Sequence, residues 1–270
     1  FYSCYALNSI DFDNIINITD MSKMFSHCNS LKTFDLSILD APNLLDMSHM
    51  FYECQNLQDV FMNDIIAPNL ENTSYMFSYS SVKFVDISNF NTPKLKTINS
   101  MFEGCYELAS IYIFNFNTEN VYNMNYLFAN CGSLKYIDLS DFNTKNVIYM
   151  NNMFSFTYIL ASIDTSNFDL EKVIDMDNMF YYCYSLKSID FSNKNAKNLK
   201  TLNNFCYYCQ QLTSINLYNF TAKNISYMSS MFEGCYNLKS IDFSYIYSDN
   251  IINIDYMFYG CSSLSSINLS

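Results

Sequence analysis

A phenylalanine returns along this sequence at a nearly constant interval, and that period limits the chain to a repetitive fold. Successive spacings are 26 residues, with one spacing of 25 between Phe77 and Phe102, and Cys206 takes the position between Phe180 and Phe232. The full set is Phe25, Phe51, Phe77, Phe102, Phe128, Phe154, Phe180, Phe232 and Phe258. Periods of about 20–50 residues indicate solenoids and related arrays, in which each unit contacts mainly its neighbours.

The first half of each unit predicts a short helix. Apolar side chains at Val147, Met150, Met153 and Phe154 follow the spacing of one helical face, which indicates two to three turns. Asn146 precedes them, and its side-chain oxygen would cap the helix as an N-cap residue. The same position holds Asn17, Asn43, Asn69, Asn120, Asn198, Asn224 and Asn250. Glycines of the kind that end helices follow at Gly104, Gly234 and Gly260.

The second half of each unit predicts a strand. Ile137 and Leu139 alternate with Asp138, which is the periodicity of a strand with one buried face. Stacked units would place these strands in parallel, about 4.8 Å apart, whereas packed helices need about 8–10 Å. We therefore expect an α/β repeat solenoid over residues 1–270, a curved array of about ten units. Its parallel strands would lie on the concave face and its short helices on the convex face.

The unit resembles a known family of repeats. The run from Cys131 through Leu134, Ile137 and Asn143 to Phe154 is similar to the repeat of the BspA-like leucine-rich repeat group of bacterial surface lipoproteins. The resemblance covers essentially the whole chain, although individual units depart from it. It implies a leucine-rich-repeat solenoid, a cell-surface or extracellular location, and adhesion or protein binding. It implies no catalytic residue.

Charge and hydropathy exclude several partners. The formal net charge is -12, which opposes binding to nucleic acid or to an anionic membrane surface. The sequence contains no apolar stretch of about 18 residues, so we expect membrane attachment only through an anchor outside this segment. Because the chain starts inside a unit, at Phe1, we expect it to be a piece of a longer surface protein.

Cysteine usage follows the repeat. Nine of the ten cysteines share one position, three residues after the repeated phenylalanine: Cys4, Cys28, Cys54, Cys105, Cys131, Cys183, Cys209, Cys235 and Cys261. Ser80 and Thr157 replace cysteine there, which favours a column of small buried residues with free thiols. Disulfides between neighbouring units and a metal or redox site at Cys206 and Cys209 are the alternatives.

Catalytic constellations are missing from the sequence. The two histidines occupy different repeat positions, and there is neither a glycine-rich phosphate loop nor an isolated pair of acids. We therefore expect no enzyme activity, no cofactor and no metal.

A column of aspartates lies between the two inward-facing strand residues, so its side chains point away from the core. It comprises Asp11, Asp35, Asp86, Asp138, Asp164, Asp190 and Asp242, with Asn216 and Asn268 in two further units. One interpretation is a solvated polar face with local hydrogen bonds to serines. The other is a binding strip for basic partner residues or a divalent cation. The candidate residues are Asp86, Asp138, Asp164, Asp190 and Asp242.

Tyrosines form a second candidate surface. Equivalent positions of adjacent units carry Tyr158, Tyr181, Tyr182, Tyr184, Tyr207, Tyr208 and Tyr236. Stacking would bring them onto one edge, and tyrosine is enriched at binding interfaces. The alternative is a tolerant surface filled by a tyrosine-rich composition.

These features predict a non-catalytic surface protein that binds a protein or another cell-surface macromolecule. The alternative is a structural protein whose units associate end to end, through the ends of the solenoid, into a filament or surface coat.

Overall fold

Each repeat forms one turn of a parallel β-solenoid of about nine turns, which we call rungs. The structure is a computed structural model that describes residues 1–10, 17–37 and 39–269. Short strands occur once per rung in most rungs: β1 (Thr33–Asp35), β2 (Asp59–Phe61), β3 (Phe84–Asp86), β4 (Ser110–Tyr112), β5 (Ser188–Asp190), β6 (Ser214–Asn216), β7 (Ser240–Asp242) and β8 (Ser266–Asn268).

The strands pair in parallel with the register that the repeat dictates. Strands β1 to β4 form one sheet in sequence order, and β5–β6 and β7–β8 form two further pairs. Phe34 pairs with Val60, and Val60 pairs with Val85, so each inward residue stacks on its equivalent in the next rung. The predicted parallel strands are confirmed. Within the described residues, no paired strand covers the two rungs between β4 and β5.

A second ladder joins the rungs at the start of each turn segment. Parallel bridges link equivalent residues without a break from Asp20 to Asn253: Asp20, Asp46, Asn72, Thr97, Asn123, Tyr149, Asp175, Thr201, Tyr227 and Asn253. The rungs are therefore held at strand spacing, about 4.8 Å, here as well.

The predicted helices are wrong, since no helix occurs in the described part of the chain. In the segment that follows each bridge, alternate N–H groups close tight turns, as from Met50 to Met47 O at 3.3 Å. The N–H groups between them donate to the next rung, as from Phe51 to Met76 O at 2.8 Å. A helix about 10 Å wide cannot stack at the spacing of the bridges, whereas this turn segment can.

Left-handed residues shape the turn segment. His49 and Glu53 both have φ of 56°, and nearly every rung has a similar pair four residues apart. Gly104 (φ 71°), Gly234 (φ 72°) and Gly260 (φ 77°) occupy the second position of such pairs, so the predicted left-handed glycines are present but end a turn segment. The prediction of a concave strand side depended on helices that need a larger spacing than the strands. Because no helix occurs in the described residues, that reason no longer applies. We call that side the strand face.

A stack of aromatic rings fills the core. From Phe25 to Phe180, rings of successive rungs lie 5.3–5.8 Å apart between centroids and within 14° of parallel. Where Cys206 interrupts the column, the neighbouring Phe205 supplies the ring and meets Phe180 edge-on at 5.3 Å. Aromatic contacts of this kind stabilise beyond the area they bury.

The asparagine column is not a set of helix caps. Asn224 donates from Nδ2 to the carbonyl of Lys197 in the previous rung, at 2.6 Å. Equivalent bonds of 2.7–2.8 Å join Asn69 to Pro42, Asn120 to Pro93, Asn146 to Glu119 and Asn198 to Glu171. The predicted N-caps are therefore wrong, and the amides instead connect successive rungs.

Replacing Asn224 by Asp distinguishes the two roles. Asp caps helices as well as Asn does, but it has no N–H to offer the Lys197 carbonyl. We expect Asn224→Asp to lower the free energy of unfolding by about 1 kcal/mol, measured by urea denaturation at neutral pH. Asn250 holds the same column position without such a bond among the described contacts. Asn250→Asp is the matched control, and equal effects of the two changes would contradict the inter-rung role.

Candidate functional site

The candidate aspartates of the column each stabilise the backbone turn that follows them through a hydrogen bond. The carboxylate of Asp138 accepts a hydrogen bond from the N–H of Ser140 at 2.9 Å, and Asp190 accepts one from Ser192 at 2.8 Å. Asp86, Asp164 and Asp242 make the same bond, to Ser88, Ser166 and Ser244, at 2.8–2.9 Å. The expected local hydrogen bonds to serine are confirmed, and Asp11 lies outside the described residues.

These hydrogen bonds favour the charged carboxylate. The backbone N–H of Ser140 lowers the pKa of Asp138, and that of Ser166 lowers the pKa of Asp164. For Asp190 and Asp242 the largest cause of the lowered pKa is the serine side chain, Ser192 or Ser244. The aspartates of the column therefore present fixed negative charges at neutral pH. All candidate members are exposed except Asp86, which is half-buried.

Aromatic residues interrupt the aspartate column, a feature that sequence reasoning missed. Phe61 and Tyr112 pair in register with Asp86 from either side, so they occupy column positions. Phe84 joins them, with centroids 5.7 Å from Phe61 and 5.1 Å from Tyr112. The nearby Phe114 and Tyr136 are 63% and 65% exposed. We call Phe61, Phe84, Tyr112, Phe114 and Tyr136 the aromatic patch. Aligning the units by their period would have revealed it.

The seven predicted tyrosines lie together, and we call them the tyrosine edge. They lie at the end of the turn segment and just after it, where rings of successive rungs stack: Tyr158 on Tyr184 at 5.4 Å and Tyr181 on Tyr207 at 4.8 Å. The remaining members are linked by further ring contacts at 4.6–6.0 Å: Tyr181–Tyr182, Tyr182–Tyr184, Tyr182–Tyr208, Tyr207–Tyr208 and Tyr208–Tyr236.

The rings of the tyrosine edge are closely packed, so these side chains have little conformational freedom. Gly234 leaves room for the ring of Tyr208, since an added Cβ would lie 2.7 Å from that ring. Burial raises the pKa of Tyr207 to about 12 and also raises the pKa of Tyr181 and Tyr184. The hydroxyls therefore stay protonated at neutral pH and can donate hydrogen bonds.

All ten cysteines are free thiols, as the column interpretation predicts. The column thiols from Cys28 onward reach the backbone of the previous rung: the Sγ of Cys105 lies 3.1 Å from the carbonyl of Phe77, and that of Cys131 lies 3.1 Å from the carbonyl of Phe102. Cys206 and Cys209 are both fully buried in the core. No group of three or more His, Cys, Asp or Glu residues that could hold a metal ion occurs in the described ranges.

A family profile matches this chain along its length. It is the profile described as "Mycoplasma protein of unknown function, DUF285", and it matches residues 1–82, 71–189 and 157–269. No curated protein sequence is similar to this chain. Among the residues described, no helix is long and apolar enough to cross a membrane.

Solved structures of similar shape are leucine-rich repeat proteins of bacteria. A leucine-rich repeat protein from Bacteroides ovatus is 19% identical with a TM-score of 0.47, and the match covers 100% of this chain and 74% of the other. A leucine-rich cell surface protein from Faecalibacterium prausnitzii is 18% identical with a TM-score of 0.37, covering 92% of this chain and 62% of the other. A leucine-rich repeat protein from Eubacterium ventriosum is 19% identical with a TM-score of 0.41, covering 93% of this chain and 70% of the other.

The identities and scores are low, so the family profile alone assigns the chain.

Because the thiols are buried, we expect the folded chain to lose stability at alkaline pH. Burial raises the pKa of Cys54 and Cys105 to about 12 and that of Cys206 to about 11. An unfolded thiol ionises near pH 8.5, roughly, so above this pH the unfolded chain loses protons that the folded chain retains. Below that pH, each buried thiol makes its full contribution to the free energy of unfolding. As the pH rises further, the contribution of each thiol falls by about 1.4 kcal/mol per pH unit.

Serine replacements test this dependence, because Ser80 already fills the column position in one rung. We expect the variant with Cys105, Cys131 and Cys235 changed to Ser to lose stability more slowly between about pH 8.5 and 10. The reduction in slope is about 4 kcal/mol per pH unit, from three thiols, measured by urea unfolding with reductant present. An unchanged slope would contradict the buried, protonated column.

Proposed function

This chain belongs to the DUF285 family, and we propose that it is a non-catalytic, cell-surface binding protein that attaches to other proteins. The strand face is the proposed main binding surface, with Asp86, Asp138, Asp164, Asp190 and Asp242 as its contact residues. The tyrosine edge is the proposed second surface. We also propose that the single repeat array over residues 1–270 works as part of a longer surface protein.

The observation that carries this proposal is the fixed row of carboxylates. Asp138, Asp164 and Asp190 follow one another in successive rungs, each held by a serine N–H. Preorganised charges lose little freedom on binding, and a patch of one sign steers a partner of the opposite sign. The core uses its inward-facing residues for stacking, so the outward strand residues are free to vary for recognition.

Changing Asp138, Asp164 and Asp190 together to Asn removes charge while keeping the fold. Asn216 shows that Asn serves the turn equally, since its Oδ1 accepts from the N–H of Tyr218 at 3.1 Å. Exposed charge pairs contribute about 0.5 kcal/mol each, so we expect about tenfold weaker partner binding. The measurement is a pull-down from cell-surface protein extracts, followed by titration of the retained partner.

Salt and a second variant serve as controls. Wild-type binding is expected to weaken between about 50 and 300 mM salt, because the carboxylates are exposed. A variant with Tyr181, Tyr182, Tyr207 and Tyr208 changed to Ser separately tests the tyrosine edge. Full binding by the aspartate variant together with salt-independent wild-type binding would refute the proposed role of the strand face.

A further inference from the structure

The strand face opens in the middle of the solenoid. In the described part of the chain, no strand pairing joins β4 to residues 136–138, nor these to residues 162–164, nor these to β5. The bridges of the second ladder continue through the same rungs, from Thr97 to Thr201. The second ladder therefore joins these rungs where the pairing of strands on the strand face is interrupted.

Local backbone conformation changes where the strand face opens. Asn89 and Asn115 are left-handed, with φ of 53° and 55°, but the equivalent residues of the next two rungs, Asp141 and Asn167, are not. Asn89 donates its N–H to the carbonyl of Phe114 at 2.8 Å. Asn115 instead donates to the side chain of Asp141, at 2.9 Å, so a carboxylate replaces the backbone acceptor.

The opening at β4 forms a cleft. It has a volume of about 440 Å³ and lies between residues 109–114 and 135–141. Ile111 is only partly buried here, whereas the equivalent Val85 is completely buried. Tyr112 and Phe114 project from one wall and Tyr136 from the other, 59%, 63% and 65% exposed. The cleft thus has an apolar floor and aromatic walls.

The charged side chains around the cleft favour a cationic ligand. Asp138 and Asp141 line it, and Lys135 is its one cation among the described residues. Lys83, in a neighbouring rung, is paired with Glu107 at 3.5 Å. A group that is planar, cationic and able to hold a carboxylate through two hydrogen bonds fits both the aromatic walls and the acids. Guanidinium has these properties, and the ammonium of lysine lacks the plane.

We infer that this cleft receives arginine side chains from an extended segment of a partner protein. The guanidinium stacks on Tyr112 or Tyr136 and pairs with Asp138 or Asp141, while the aliphatic part of the side chain covers Ile111. The inference rests on the proposed protein-binding function and gives it a position and a partner chemistry. A second copy of this sequence does not supply the group, because it contains 14 lysines and no arginine.

Methyl NMR of the full chain tests the inference, with Ile111, Ile113 and Ile137 reporting from the cleft. The probe is Nα-acetyl-arginine methylamide, compared with the corresponding lysine compound and with methyl α-glucoside. We expect saturable shifts of the three cleft methyls with the arginine compound and weaker ones with the lysine compound. Ile189, beside Asp190 in the paired β5–β6 sheet, is expected to stay unchanged.

Variants assign the contacts. Changing Tyr112 and Tyr136 to Ser is expected to weaken arginine binding about two- to fivefold per ring, which is the effect of an exposed cation–π contact. Asp138→Asn with Asp141→Asn is expected to weaken it further, and the amide introduced at position 141 would still offer an oxygen acceptor to the neighbouring backbone N–H. The matched control is Tyr106→Ser, since Tyr106 is 56% exposed in the same rung but does not line the cleft.

Three outcomes would overturn the inference: no saturable shift in the cleft, equal shifts at Ile189, or binding of methyl α-glucoside without binding of the arginine compound. If the arginine compound fails while the aspartate variant described above still loses a protein partner, the arginine inference falls and the protein-binding function stands.

Discussion

The hydrogen bonds between rungs are the interaction on which the rest of the structure depends. Phe51 donates to Met76, one repeat ahead, and equivalent bonds recur along the array. They set the distance at which the phenylalanine rings stack, the thiols reach the carbonyls of the previous rung, and the asparagine amides connect rungs. The same spacing aligns the aspartates of successive rungs, such as Asp138, Asp164 and Asp190, on the strand face. A fold of this kind gains stability from neighbour contacts that are added rung by rung.

Much of this architecture could be predicted from the period. The parallel strands, the stacked phenylalanines and the buried cysteines follow from which side chains must face inward. The helix prediction failed because inward residues such as Val147, Met150 and Phe154 have the same spacing in a helix and in the turn segment. What separates the two is the acceptor of each N–H, which the pattern of apolar residues does not record. Left-handed residues such as Tyr75 and Tyr182 have side chains that rarely adopt that conformation, so the sequence did not indicate these turns.

Some of the candidate surfaces could likewise be predicted from the sequence, and one could not. The positions of the aspartate column and the tyrosine edge follow from strand alternation and from stacking of equivalent residues, so the sequence was sufficient to find them. The cleft beside β4 depends on where the strand ladder is interrupted, and the interruption coincides with a changed backbone conformation at Asp141 and Asn167. Asparagine and aspartate accept left-handed and ordinary conformations alike, so the residue types alone do not reveal the opening. The candidate binding surfaces of this fold thus arise both from regular columns and from local departures from regularity.

The central claim is that the turn segment bonds to the next rung and forms no helix. A through-hydrogen-bond coupling between the amide nitrogen of Phe51 and a carbonyl carbon tests it most directly, in a deuterated, doubly labelled sample. The structure predicts a coupling to Met76, whose oxygen lies 2.8 Å away, and none to Met47. A coupling from Phe51 to Met47, the partner four residues back in an α-helix, would contradict it.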